Sequence, residues 1–199
     1  MEGGRRVYRQ VARAEASDDL RARILRAFMD ALLAKWLDEI TLDAVAAAAK
    51  TTRRTVIRFF GGKSGLIEAA IQVIPDEIAA RRRQPPGTSL DAIAAATVAD
   101  LEVLGDFYLR MLAAAPRNPE INPAIAVGRR NHRLWLAEAL SPWLSGMPPD
   151  QAERALCESL IATDTYTWTL LRRDFGKSVA ETEAIIAAML RKALSETTG

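Results

Sequence analysis

Thr41 and Thr52 are hydroxyl residues that can each cap a helix, and only Lys50 and Thr51 separate the apolar run after the first from the start set by the second. After Thr41, the residues Leu42, Val45, Ala46 and Ala49 share one face of a helix over 42–49. After Thr52, Val56 and Phe60 fall one turn apart on a helix over 53–60, which Gly61-Gly62 stops. Two short helices joined by so tight a turn make a helix-turn-helix, the second helix of which can lie in a DNA major groove. Lys50, Arg53, Arg54, Arg58 and Lys63 crowd this stretch and no acidic residue interrupts them, a charge density that suits phosphate neutralisation.

The rest of the chain reads as helix too. No stretch alternates apolar and polar residues over strand length, so the 199 residues point to an all-α fold. Ser17-Asp18-Asp19 suits a helix N-terminus, with Leu20, Ile24, Phe28, Ala31 and Leu32 following at 3–4 spacing toward an end near Trp36. Ahead of it, residues 1–16 read as a basic, solvated arm. A fourth helix is predicted over 63–74, ended or bent by Pro75, and the Arg81-Arg82-Arg83 run with the loop 84–87 marks a seam. The helix-turn-helix domain thus spans 17–74 and a second helical domain 75–199.

In that second domain Thr88 or Ser89 opens a long helix to about Ala115. Pro123 suits the first position of a helix to about Leu140, with Pro142 as breaker. Asp150 and Glu153 make a capping-box-like start for a helix over 151–172, ahead of Gly176. Ser178 and Glu181 form a second capping box, opening a last helix with Thr182, Ile185, Ile186, Met189, Leu190, Ala193 and Leu194 along a broad apolar stripe.

Charge divides along the same line. The formal net charge is +2, but residues 1–74 carry 13 Lys+Arg against 9 Asp+Glu, and 75–199 carry 14 against 16. A polyanion would be met by the N-terminal part. No apolar run approaches bilayer length and the N-terminus has no apolar signal core, so the chain is expected to be soluble, cytoplasmic and without a membrane partner. Cys157 and His132 are each single, which argues against a disulfide and against a metal site. No nucleophile-base-acid set or Gly-rich phosphate loop suggests an enzyme, and no cofactor is implied.

The helix-turn-helix segment resembles the TetR family, whose pattern is an Ala-rich helix, a turn, then Ser-x-x-Thr-Leu-Tyr-x-His-Phe-x-x-Lys-x-x-Leu. Thr52, Thr55, Val56, Phe60, Lys63 and Leu66 stand at matching positions. The resemblance runs from Leu20 to about Ile74 and returns at Trp168 to Ser178 with Glu181, a stretch similar to the one joining the family's last two helices. Two departures stand out. Lys50-Thr51 replaces the usual Gly-Val of the turn, and Ile57 and Phe59 replace the Tyr and His, so those polar contacts are not carried over.

Resemblance and charge together assign Arg53 and Arg54 to base-edge reading, with Thr52, Thr55, Arg58 and Lys63 positioning the DNA backbone. Lys63 also stands at a helix N-terminus, and Thr41 acts as cap and phosphate donor. One such head reads few bases, so a homodimer on a palindromic operator is expected, formed through the two C-terminal helices, as the resemblance also implies. The resemblance further implies a small-molecule effector bound in the second domain, where Phe107, Tyr108, Met111, Trp135, Tyr166 and Trp168, with Trp143 and Phe175, could line an apolar site and Arg110, Asn131 or Asp164 could orient a ligand. The reading is therefore a ligand-responsive homodimeric repressor. An activator or effector-independent regulator of the same fold, or a helical protein-interaction module without DNA binding, are the alternatives.

Overall fold

A computed structural model describes residues 2–81 and 88–195, with side chains described over 14–73 and 88–195. Among these residues the regular structure is helical throughout. Helix α1 (Glu2–Ala34) begins well before Ser17, so the expected cap lies in mid-helix. Residues 5–16 contain neither Pro nor Gly, and Arg, Gln, Ala and Glu are good helix formers, so nothing there ends a helix. The backbone of the basic arm from Glu2 therefore continues α1, while Met1 lies outside the described residues.

A 3₁₀ turn (Leu37–Glu39) links α1 to α2 (Leu42–Ala48), which leads into α3 (Arg53–Phe60) and α4 (Lys63–Arg81). Helix α4 runs through Pro75. The one lost donor is outweighed by helix formers such as Glu77, Ala79 and Ala80 beyond it. Arg81 ends the helix, and Arg82, Arg83 and the loop 84–87 lie outside the described residues.

Helix α5 (Leu90–Ala114) starts at Ser89, whose hydroxyl accepts the Ala92 N–H at 3.3 Å. A 3₁₀ turn at Pro119–Ile121, α6 (Asn122–Ala139) and the one-turn α7 (Ser141–Leu144) follow. The helix predicted over 151–172 is broken into α8 (Pro149–Ala162), α9 (Thr165–Thr169) and a π-helical turn (Leu170–Asp174). Asp164 is the reason: its carboxylate accepts the Tyr166 N–H at 2.8 Å and starts a new helix, a side-chain bond that competes with the continuing ladder. Nor do Asp150 and Glu153 make a box, because Pro148 is the N-cap and Glu153 instead pairs with Arg133 at 2.6 Å. Before α10 (Val179–Ser195) the expected box does form. The Ser178 N–H donates to Glu181 at 2.9 Å, and the Glu181 N–H donates to Ser178 Oγ at 3.2 Å.

The buried side chains form two cores, and the division does not fall at Pro75. The first joins Ile24, Phe28, Leu32, Val45, Val56, Phe60 and Leu66 to Leu104, Phe107, Met111 and Ala114 of α5. The second joins Leu90, Ile93, Ala94 and Val98, also of α5, to residues of α6, α8 and α10. Helix α5 is thus shared end to end, its first half in one core and its second half in the other.

Where the halves meet, Gly105 lies against the fully buried Trp168; a Cβ at that position would fall 2.5 Å from the indole ring. The indole N–H donates to Glu102 at 2.8 Å, the Arg172 guanidinium reaches the same carboxylate at 2.7 Å and 2.9 Å, and Arg173 stands over the ring while pairing with Asp106. The arginine bond holds the Glu102 carboxyl below its ordinary pKa, with the indole bond adding to the effect. This assembly fastens the π-turn to α5.

Gly105→Ala should destabilise the fold by roughly 1–3 kcal/mol, because an indole wedged in a close-packed core has little room to retreat. Thermal unfolding followed by circular dichroism measures it, and an unchanged midpoint would contradict the packing described. A second expectation concerns acid. The Ser178 backbone and hydroxyl, then Lys177, hold the Glu181 carboxyl at a pKa of about 2 against an ordinary 4.5, so its contribution is complete above the ordinary value and fades as pH falls toward 2. Glu181→Gln should therefore lose less stability than the parent across that interval in denaturant titrations.

Candidate nucleic-acid interface

The turn between α2 and α3 adopts the geometry that a glycine would ease. Lys50 has φ +53°, the left-handed region, so this non-glycine residue keeps the turn at a cost of about 1–2 kcal/mol. The backbone satisfies its donors there, the Lys50 N–H reaching Ala47 O at 3.1 Å and the Thr51 N–H reaching Ala46 O at 2.9 Å. Both caps are in place: Thr41 Oγ1 accepts the Ala44 N–H at 3.2 Å, and Thr52 Oγ1 accepts the Thr55 N–H at 3.3 Å.

Within α3 the inward side is Val56 and Phe60, buried in the first core, and Arg21 of α1 stands 5.0 Å over the Phe60 ring. Arg53, Arg54, Ile57 and Arg58 are exposed, while Thr55 and Phe59 are half-buried at the flanks. On the far side α4 comes in close, since a Cβ at Gly65 would meet the Phe60 carbonyl oxygen at 1.7 Å. A bare backbone at that position lets α4 brace the end of α3.

The seven residues predicted to touch DNA do not share one situation. Thr41, Thr52, Arg53, Arg54 and Arg58 are exposed around α2 and α3. Arg53 leans across the turn to Asp43 of α2 at 3.5 Å, an exposed pair worth at most about 1 kcal/mol and hence displaceable. Arg58 lies over the Phe59 ring at 4.9 Å. Thr55 has its hydroxyl 3.0 Å from that of Thr52. Lys63 departs from the group, because its ammonium donates to the Leu37 carbonyl in the turn after α1. Burial lowers its pKa, an effect that Asp38 and Glu120 oppose. Lys63 therefore ties α4 to the α1–α2 connection, a partner 26 residues away that local charge counting could not reveal.

The six residues expected to line an effector site are also dispersed. Phe107 and Met111 are buried in the first core with Tyr108 packed against them, Trp135 packs on the second core, and Trp168 is sealed under the π-turn. Tyr166 alone of the six borders a cleft of about 490 Å³ whose other walls include Trp36, Asp106 and Arg110. Arg110, expected to orient a ligand, is instead engaged with α1. Its guanidinium donates to the Leu33 carbonyl, and to that of Leu32 at 3.4 Å, closing the last turn of α1. Among the described residues no group of His, Cys, Asp and Glu is arranged to hold a metal ion, and no helix is long and apolar enough to cross a membrane.

Taken together, the capped helix pair with its basic outer face defines a helix-turn-helix protein with an all-helical second part. A crystal structure of a tetR-family transcriptional regulator from Streptomyces coelicolor is similar to it over 90% of each chain, with a TM-score of 0.68 and 21% sequence identity. No family model matches the chain, and no curated protein matches it. The chain shares the fold of that regulator.

Replacing Lys50 by Gly relieves the left-handed residue and should stabilise the protein by up to about 1 kcal/mol, measured by urea unfolding. A loss of stability would mean that the Lys50 side chain is held by contacts the turn depends on.

Proposed function

We propose that this protein is a DNA-binding transcriptional regulator that inserts α3 into the major groove. The observation that carries the reading is the outer face of α3, where Arg53, Arg54 and Arg58 are exposed while Val56 and Phe60 anchor the helix from behind. Arg53 and Arg54, in its first turn, make bidentate contacts to guanine edges. Arg58, Thr52, Thr55 and Thr41 position the DNA backbone. Lys63 serves indirectly, by holding the helix pair to the α1 connection.

The active form is a homodimer joined through α8 to α10. Support comes from the exposed Ile161, Tyr166, Leu170, Phe175, Val179 and Met189, apolar side chains carried by successive segments of that part. A dimer places two α3 helices on a palindromic operator, one helical turn of DNA or a multiple of it apart. We further propose that the protein represses transcription and releases DNA on binding a small effector through a shift between two arrangements of the heads.

Affinity for random duplex DNA should be measurable at low salt and should fall linearly on a log–log plot against salt concentration. Arg58→Ala should reduce the slope by about 1 for each protomer engaged, weakening all sequences alike, whereas Arg54→Ala should remove about 1–3 kcal/mol on a selected operator and relax its preference at one position. Fluorescence anisotropy reads both. No affinity for any duplex at low salt would overturn the proposal.

A further inference from the structure

One residue on the outer face of α3 carries no charge. Ile57 is 43% exposed, yet it sits in line with the cations, three residues beyond Arg54 and four beyond Arg53, positions that lie side by side on a helix. A single exposed aliphatic residue on a protein surface is ordinary. Its setting here is not, because the three other exposed side chains of this short helix are all arginines, and the part of Ile57 left to solvent has no exposed apolar companion on α3. Within the major groove there is one apolar feature on the base edges, the C5-methyl of thymine.

We propose that Ile57 is a specificity-determining residue that selects thymine through its methyl group. The inference rests on the DNA-binding reading above and adds to it the base that the apolar position recognises. The branched side chain supplies a stiff apolar surface, since β-branching in a helix leaves largely one rotamer. Register follows from helix geometry. One turn of helix advances about 5.4 Å, against about 3.4 Å for a base-pair step, so the selected thymine lies one or two steps from the base pair that Arg54 reads.

The test begins with a duplex selected by the protein from a random pool, in which each thymine of a half-site is replaced in turn by uracil, identical but for the methyl. The wild-type protein should lose about fourfold in affinity at one position per half-site, the factor equivalent to one buried methyl group. Ile57→Ala should bind the thymine and uracil forms equally at that position, and Ile57→Val, which keeps two methyl groups, should retain the preference. Both variants should keep the helical signal and the salt slope on random DNA, which establishes that they fold and engage the backbone. Indifference of the wild type to every methyl overturns the proposal, as does a thymine preference that survives in Ile57→Ala. Failure of the DNA-binding reading itself looks different: no duplex is selected, and the wild-type protein shows no salt-dependent affinity.

Discussion

The structure depends on one helix belonging to two cores. Helix α5 gives Ile93, Ala94 and Val98 to the cluster shared with α6, α8 and α10, and gives Leu104, Phe107 and Met111 to the cluster that also holds the buried faces of α1 to α4. A helix is stiff over this length because each residue is bonded along the axis. Displacing one end of α5 therefore displaces side chains in the other core, and neither close-packed cluster yields gradually. Arg110 adds a polar tie at the same junction by closing the end of α1 from α5. The helix-turn-helix part thus meets the rest of the chain through packed side chains and a capped helix end.

How far the sequence revealed this depends on the range of each signal. The α2–α3 pair was legible because everything that defines it is local. Thr41 and Thr52 cap residues three positions on, Val56 and Phe60 are a turn apart, and the structure reproduces both boundaries within a residue. The Ser178–Glu181 box was legible for the same reason. The start of α1 was not, since Ser17-Asp18-Asp19 can cap a helix or ride within one, and only the absence of a breaker upstream separates the two outcomes. The split at Asp164 was likewise hidden in a run of apolar residues with helical spacing, because a single side-chain bond decides it.

Side-chain destinations were the least legible. Arg58 on α3 and Lys63 just beyond it are both cations, but Lys63 is drawn to the Leu37 carbonyl and Arg58 stays over Phe59 at the surface. Large side chains of the second part posed the same difficulty. Phe107, Met111 and Tyr166 all occur at positions a helix could turn either way, and only packing consigns the first two to a core and leaves Tyr166 at a cleft. The partners that matter, Glu102 for Trp168 and Arg172, Leu33 for Arg110, lie 66 to 77 residues distant along the chain. Pairings over such separations leave no mark in local spacing.

The exposed arginines of α3 differ in how much freedom they retain, and this bears on what each can do in a groove. A long side chain surrenders rotamer entropy when it is fixed against a ligand, by about 0.5–1.5 kcal/mol. Arg53 has surrendered part of that already by leaning on Asp43, and Arg58 by lying on Phe59. Among the described residues no side-chain hydrogen bond or ion pair engages the Arg54 guanidinium. Tethered cations offer fixed points of charge and suit a register that must be the same on every duplex. An arginine without such a tether is ordered only by the base edge that satisfies its fork, so the entropy it loses is offset on the right sequence alone. On that physical ground, if α3 reads DNA as proposed, Arg54 would be the stronger discriminator of the pair in the first turn, and Ile57, stiff and next to it, would complete a reading surface from one untethered donor and one apolar contact.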